Sequence, residues 1–552
     1  TPLYSSAASD VYKRQRYRFM TLILAGASLS ASLNAQEQAK DSLLHRDFSF
    51  VANSDAWLRS DNAAALVRFK TKNISLAEVY AQYGKGGFVN YDESPRTVQA
   101  GANVSSFYRL TDRIVLSGSM RYDNFSGRNM TGSAFIQTQR LPFDIVEDSL
   151  NNAGTKHRDT YNLMGALSWE IYKGLAIGTK VDFTAANVAK YKDLRHKTKL
   201  MDLALTTGVY IPLQPFSLGF NYTYRRNTES VIFSTYASNA QEFTSYINYG
   251  PWIGKTEPFS SSGFTDSNRE QPMLNEYHGL GLQLGWEILP HLSWFNHLDM
   301  AYRKGYYGRK SPYTIVHTNH HSHIYDYQTR LTLNLDKQIH HLDFSFSSEN
   351  LVNEMNAYRS NKNEQGAYFY QYLDPVKSAN KAWNDVHLGY TGYYGVTNEL
   401  PLWTVEAGAN IAQRKQTGYS YPYYRRQDIR TMEAYTGLTR NLLFRKGVLS
   451  LKAGFAYKKG KGDAFEDGTL AKPSDKQNGF PTMDVLMYRE YKYLTDPQYS
   501  LQLGLKYAFV LPGTKMKTYT AFDFTHRHTN DGNAYLIGRN YSTGRLTIGC
   551  TF

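Results

Sequence analysis

Cysteine is almost missing: Cys550 is the single one in 552 residues. No disulfide framework and no cysteine-based zinc site can be built from it. Long hydrophobic runs are missing too. Beyond the first 40 residues nothing approaches the ~20 consecutive apolar residues that a spanning helix needs. Acidic charge is in deficit, 48 Asp and Glu against 62 Lys and Arg, a formal net charge of +14. The cations are dispersed and no nucleic-acid-binding motif accompanies them, so nucleic acid is not an expected partner. What the chain has instead is aromatic: 45 Tyr, 28 Phe and 7 Trp. Disordered chains are poor in such residues. Yet mean hydropathy is only −0.52. Abundant tyrosine in a polar chain needs a structural cause.

The N-terminus does not read as folded structure. Residues 1–15, TPLYSSAASDVYKRQ, resemble translated sequencing-adapter read-through. Arg16-Tyr17-Arg18 is followed by the apolar run Met20–Ala31 and then by Leu33-Asn34-Ala35 before Gln36. A basic start, a short apolar run and a small residue at the cut predict a cleaved signal peptide over 16–35. Removing 1–35 takes away Lys13, Arg14, Arg16 and Arg18 against Asp10, a net three, and leaves +11. Residues 36–74 read as a lead-in or small plug, with a short helix over 54–69 capped by Ser54 or Asp55. Residues 75–552 read as one domain.

Within that domain the pattern has period two. From Tyr499 to Leu511 one face carries Tyr499, Leu501, Leu503, Leu505, Tyr507, Phe509 and Leu511, and the other Ser500, Gln502, Gly504, Lys506, Ala508 and Val510. The same alternation runs through 279–288 and 325–336. Period two means strands with one apolar and one polar face. About 18 such segments follow one another, from 75–84 to 541–552. Most are long enough for the ~9–11 residues a tilted strand needs to cross a bilayer. Short links such as Tyr172-Lys173-Gly174 and Leu289-Pro290-His291 take turns with long ones at 126–158, 227–275, 305–323, 350–382, 460–498 and 529–540. The expected fold is all-β: a transmembrane up-and-down antiparallel β-barrel of about 18 strands (16–18), with tight turns at one rim and long loops at the other. A soluble sandwich would use shorter strands. Tyrosines near strand ends then form interfacial girdles, apolar in the ring and wet at the hydroxyl.

The last strand, YSTGRLTIGCTF, ends in Phe552. It resembles the C-terminal strand of Gram-negative outer-membrane barrels, which the barrel-assembly machinery recognises. With the Asn34-Ala35-Gln36 cut region and the tyrosine-rich loops, the chain resembles outer-membrane β-barrels of the Bacteroidota, most closely the family DUF6850. That resemblance implies an outer-membrane location and a TonB-dependent receptor as a partner. A TonB-dependent receptor itself carries a plug of over a hundred residues before its barrel, more than 36–74 provides. The stretch Ser60-Asp61-Asn62-Ala63-Ala64-Ala65-Leu66 is similar to the Asn-Pro-Ala-Ala segment before the first strand of fatty-acid-transporter-like barrels. Ala63 stands here in place of the proline, and 18 strands exceed that family's count.

Charges on lipid-facing positions would cost ~2–4 kcal/mol each for Arg or Lys at the midplane. The charged residues on the polar faces are therefore expected in the lumen: Lys180, Asp182, Asp202, Glu287, Asp299, Arg303, Asp326, Arg330, Glu406, Lys506 and Arg545, with His297, Lys452, Lys458 and Arg527. They predict either a salt-bridged, watered wall or a polar permeation path. His317, His320, His321 and His323 fall in the expected 305–323 loop and are candidate ligands for zinc, copper or haem iron, or else a solvated polar loop. Tyr368–Tyr372 and Tyr419–Tyr424 are candidate contacts for sugars or a partner protein. His526-Arg527-His528 with Asp531 is a conceivable hydrolase group, but no nucleophile motif such as Gly-x-Ser-x-Gly accompanies it. No cofactor is called for. The positive charge suits outer-membrane lipid and lipopolysaccharide as partners. The leading expectation is a non-enzymatic, porin-like channel or accessory component of nutrient or iron uptake. The alternatives are a structural partner in a protein-export or barrel-assembly complex, and a hydrolase at the mouth.

Overall fold

The computed structural model describes residues 44–147, 152–235, 243–258, 270–311, 313–477, 479–532 and 534–552. The leader expected over 16–35 and residues 1–15 lie outside the described residues.

Eighteen antiparallel strands close into one barrel. They range from twelve residues (Asn540–Thr551) to twenty-two (Tyr423–Phe444). Each pairs with the next in the chain, and the first pairs with the last, from Leu76↔Thr551 to Gly86↔Tyr541. Backbone bonds between Ser75 and Phe552, 2.8 and 3.0 Å, finish that seam. Closure satisfies every strand edge, which a bilayer demands because it offers no water to unpaired N–H and C=O groups. No helix of the described residues is long and apolar enough to cross a membrane.

The outward face is the apolar one. Leu501, Leu503, Leu505 and Tyr507 are 44–50% exposed. Lipid-facing Trp169, Trp286, Trp294 and Trp403 lie toward the tight-turn rim, and Tyr83, Tyr161, Tyr222, Tyr302, Tyr325 and Tyr499 toward the other. These are the two girdles that the tyrosine content implied. At the tight rim Lys173 and Gly174 both have positive φ, 45° and 84°, and make the two-residue turn whose twist matches the flanking strands.

At the tight rim the strand ends fall where the alternation places them. At the other rim the ladders run on. Val316–Leu335 begins eight residues before the expected 324, and Phe216–Ser234 ends eight after the expected 226. Beyond the bilayer the outward positions become polar, so hydropathy stops alternating while backbone pairing continues. Two connections at that rim are also short: 191–194, and the turn at Tyr421-Pro422. The strict alternation of short and long links therefore does not hold.

Inside the far end the long loops form structure of their own. Asp144–Glu147, Thr244–Asn248 and Gly254–Pro258 make a three-stranded sheet. Phe135, Phe143, Ile145 and Ile247 from these loops pack on Val231, Phe233, Met273 and Tyr307 of the wall. In this zone the inward face is apolar, a correction to the uniformly polar lumen expected, because the folded loops supply a dry core there. Tyr358–Lys362 and Tyr368–Tyr372 form a separate hairpin.

Candidate functional site

The lumen is occupied from the tight-turn end by residues 44–73. In place of the single helix expected over 54–69 there are two 3-10 helices, with a short α-helix before them, each started by an acidic or amide cap. Asp47 accepts from Phe50 N and starts the α-helix Phe48–Asn53. Asp55 starts the 3-10 helix Ala56–Arg59, and Asn62 starts Ala63–Arg68. Ser54 closes the first helix rather than opening the next.

Asn62 is the centre of the docking. Its Oδ1 accepts from Ala64 N at 3.1 Å. Its Nδ2 donates to Val209 O at 2.8 Å and to Gln283 Oε1 at 3.0 Å. Ser168 Oγ donates to Ala64 O at 2.7 Å. The wall is hollowed to receive these atoms. A Cβ at Gly178 would collide with the Ala63–Ala64 backbone, one at Gly208 with Asn62, and one at Gly219 or Gly285 with the Trp57 ring. Trp57 meets Tyr210 and Phe295 edge-on at 5.0 and 4.9 Å. Four glycines on four neighbouring strands thus pave one niche.

Wall cations hold the rest of the segment. Lys180 pairs with Asp61 at 2.6 Å and Lys506 with Asp47 at 3.6 Å. Arg330 donates to Asn53 O at 2.9 Å while its fork grips Asp343 at 2.7 and 3.0 Å. Arg109 donates to Val67 O and Phe69 O, and Lys517 to Leu44 O and Arg46 O. Charge-assisted bonds of this kind are about twice as strong as neutral ones.

From the other end, loop 131–147 reaches down the lumen. Arg140 pairs with Asp385 at 2.6 Å and its carbonyl accepts from Arg303, which also pairs with Glu349 at 3.2 Å. Lys156 holds Thr131 O and Ser133 O, and with Lys190 it neutralises the buried Glu147. The helix Asp484–Thr495 sits above, where Glu490 accepts from Trp252 Nε1 at 2.8 Å and from Arg414 at 2.6 Å. Burial alone would raise the Glu490 carboxyl, but the Arg414 guanidinium outweighs it and holds the group below the ordinary range. Asp92, in the 87–95 connection, is pushed up to about 6 by burial and by the adjacent Glu93.

Between the two obstructions lies a chamber of about 900 Å³. Lys180, Asp182, Asp202, Asp299, Arg303 and Asp326 line it. A second space, about 630 Å³, takes in Lys506 and Arg545, whose guanidinium stacks 3.8 Å over Tyr80. Glu287 is exposed at the tight rim, and Glu406 lies inward on Trp403–Ser420, apart from both chambers. Sequence reasoning missed Asn62, the four glycines, Glu349, Arg140 and Arg225, which lines the chamber and pairs with Asp202 at 2.6 Å. Only the Ser60–Leu66 similarity pointed to any of them.

The histidines are not in a loop. His317, His320, His321 and His323 stand on the strand Val316–Leu335, whose alternation sets His320 on the inward face and His321 and His323 on the outward one. His320 is buried, with Nε2 2.7 Å from Asn275 Oδ1, while His323 is exposed on the opposite face. Among the described residues no group of three or more His, Cys, Asp or Glu is placed to hold a metal. His526-Arg527-His528 is likewise divided. Arg527 faces inward to Tyr493, whereas His526 and His528 face outward to Ser542 and Asn540.

A model of the family of unknown function DUF6850 matches residues 63–552. The chain belongs to that family. No curated protein matches this DUF6850 chain. Solved structures similar to the DUF6850 barrel include the ferric preacinetobactin receptor BauA from Acinetobacter baumannii, at 8% identity over 87% of this chain and 81% of that one, with a TM-score of 0.40. The outer-membrane transporter YddB from Escherichia coli is similar at 8% identity over 87% and 80%, TM-score 0.38. The copper transporter OprC is similar at 9% identity over 86% and 80%, TM-score 0.41.

Proposed function

We propose that this DUF6850 barrel is a gated, non-enzymatic passage for polar solutes across a Gram-negative outer membrane, serving nutrient or iron uptake, with residues 44–73 as its plug. The docking of Asn62 and Trp57 in the glycine niche carries this reading. Here the wall gives up side chains at the niche so that a separate piece of chain can seat, by hydrogen bonds, ion pairs and the packing of Trp57, Leu66 and Phe69 on wall residues, contacts that break without unfolding a strand. Removing the plug would open the charged chamber toward the tight-turn end. The resemblance noted above supports a TonB-dependent receptor as the neighbour in the membrane.

Planar-bilayer conductance tests the proposal. Wild-type barrel is expected to show little conductance, and deletion of 44–69 together with the tip of loop 131–147, which clears both obstructions, to give a stable step several-fold larger. A deletion variant that folds and inserts but stays as silent as wild type rejects the passage, and leaves the structural-partner alternative, an export or barrel-assembly complex, to be checked by copurification.

A further inference from the structure

Beyond the girdle at the long-loop rim, the outward face of the wall turns cationic. On Tyr423–Phe444 the outward positions run Leu438, Thr436, Ala434, Met432, Arg430, Asp428, Arg426. Met432, 55% exposed, is the last apolar one. Register places its neighbours. Met432 lies opposite Ile411 on one side and Lys459 on the other; Arg430 lies opposite Gln413 and Lys461; Asp428 lies opposite Lys415. Lys415, Arg430, Lys459 and Lys461 therefore share one patch at the edge of the apolar band.

Directly opposed like charges on adjacent strands are destabilising, and Arg430 and Lys461 are such a pair. Asp428 does little to relieve them. It stands 3.8 Å from Lys415 and 3.9 Å from Arg430, and it accepts hydrogen bonds from Gln413 Nε2 at 2.8 and 3.0 Å. Among the described residues no carboxylate lies within ion-pair distance of Lys459 or Lys461. A groove of about 810 Å³ opens here on the outer wall, with Lys415, Arg430 and Lys461 on one side and Lys377 and His323 on another. The carboxylates Asp463 and Glu466 also line it, and Glu466 is the register partner of Arg426. The patch faces sideways, away from the lumen, so the solute passage cannot explain it.

We infer that Lys415, Arg430, Lys459 and Lys461 bind the phosphate groups of a phosphorylated glycolipid headgroup in the outer leaflet. An anion seated between Arg430 and Lys461 turns their repulsion into two charge-assisted bonds. Met432 and Ile411 below would meet the first carbons of the acyl chains. The inference rests on the outer-membrane reading, with the long-loop rim outermost.

Native mass spectrometry of the barrel tests it, with bis-phosphorylated lipid A, its dephosphorylated form and inorganic phosphate as probes. Wild type is expected to retain the phosphorylated lipid, and R430Q/K461Q to bind it about 30-fold more weakly, the loss of two surface cations. Lys199→Gln, an exposed outward cation on another part of the wall and outside the patch, should leave binding unchanged. Heat-modifiable gel mobility reports folding, and K459Q/K461Q is the second variant should the first not fold. Equal retention by wild type and folded variants overturns the site, as does equal binding of dephosphorylated lipid. Displacement of the lipid by equimolar inorganic phosphate assigns the patch to free phosphate and also overturns it. Failure of wild type to insert into bilayers at all would instead overturn the membrane reading on which the inference stands.

Discussion

At the scale of single residues, Asn62 does the most for the least volume. It caps a 3-10 helix and ties it to two strands at once. Asn62→Ala removes a cap worth ~0.5–2 kcal/mol and takes a donor from the buried Gln283 Oε1. The docked segment should lose roughly 2 kcal/mol, counting the usual penalty for an unmet buried acceptor. Hydrogen exchange of 56–69 should accelerate about 30-fold, as a loss of that size implies, while the barrel ladders keep their protection. Unchanged exchange would show that Asn62 does not hold the segment. Nothing in the residue itself announced this role, since one asparagine before three alanines reads as an ordinary helix start. The niche that makes it special comes from Gly178, Gly208, Gly219 and Gly285, up to 107 positions apart in sequence and aligned only by strand register.

At the scale of the strand, alternation was a sufficient guide because the bilayer imposes it. A strand crossing lipid must show one apolar face along its crossing length, and Gln498–Val510 does. The faces predict an asymmetry. Leu503→Arg should destabilise the folded barrel by ~2–4 kcal/mol, whereas Gln502→Arg, one position away and facing inward, should stay within ~1 kcal/mol. Urea unfolding of the refolded protein in lipid vesicles measures both, and equal penalties would mean the faces are misassigned. The same guide failed where lipid ends. The histidines of 317–323 read as loop because Val316–Leu335 leaves the bilayer before reaching them, and an exposed ladder needs no hydropathy pattern. The inward apolar patch of Val231, Phe233 and Met273 failed to stand out for a related reason: its partners arrive from loops far away in sequence.

At the scale of the whole molecule, closure is the decisive event. Eighteen local pairings each join neighbours in the chain except one, the seam between Ile74–Gly86 and Asn540–Thr551. That seam brings together segments more than 450 residues apart, so it carries the largest loop-closure entropy. Deleting Phe552 removes its two backbone bonds to Ser75 and the terminal ring presented at the rim. The fraction reaching the heat-modifiable folded form should fall several-fold, while barrels that do close keep wild-type strand content by circular dichroism. An undiminished folded yield would show that closure does not depend on this residue.

The amino-acid sequence determined by itself an antiparallel barrel of about 18 strands, the lipid-facing side of its alternating segments, the two rims and the aromatic girdles. These follow from period-two patterning and turn chemistry, which are local and which the bilayer enforces at every crossing. Only the tertiary structure decided what fills the barrel. The seat of residues 44–73, the loop core at the far end and the chamber between them depend on which distant side chains share a height on the inner wall. That height is set by strand stagger on closure, a property of the closed sheet rather than of any segment in it.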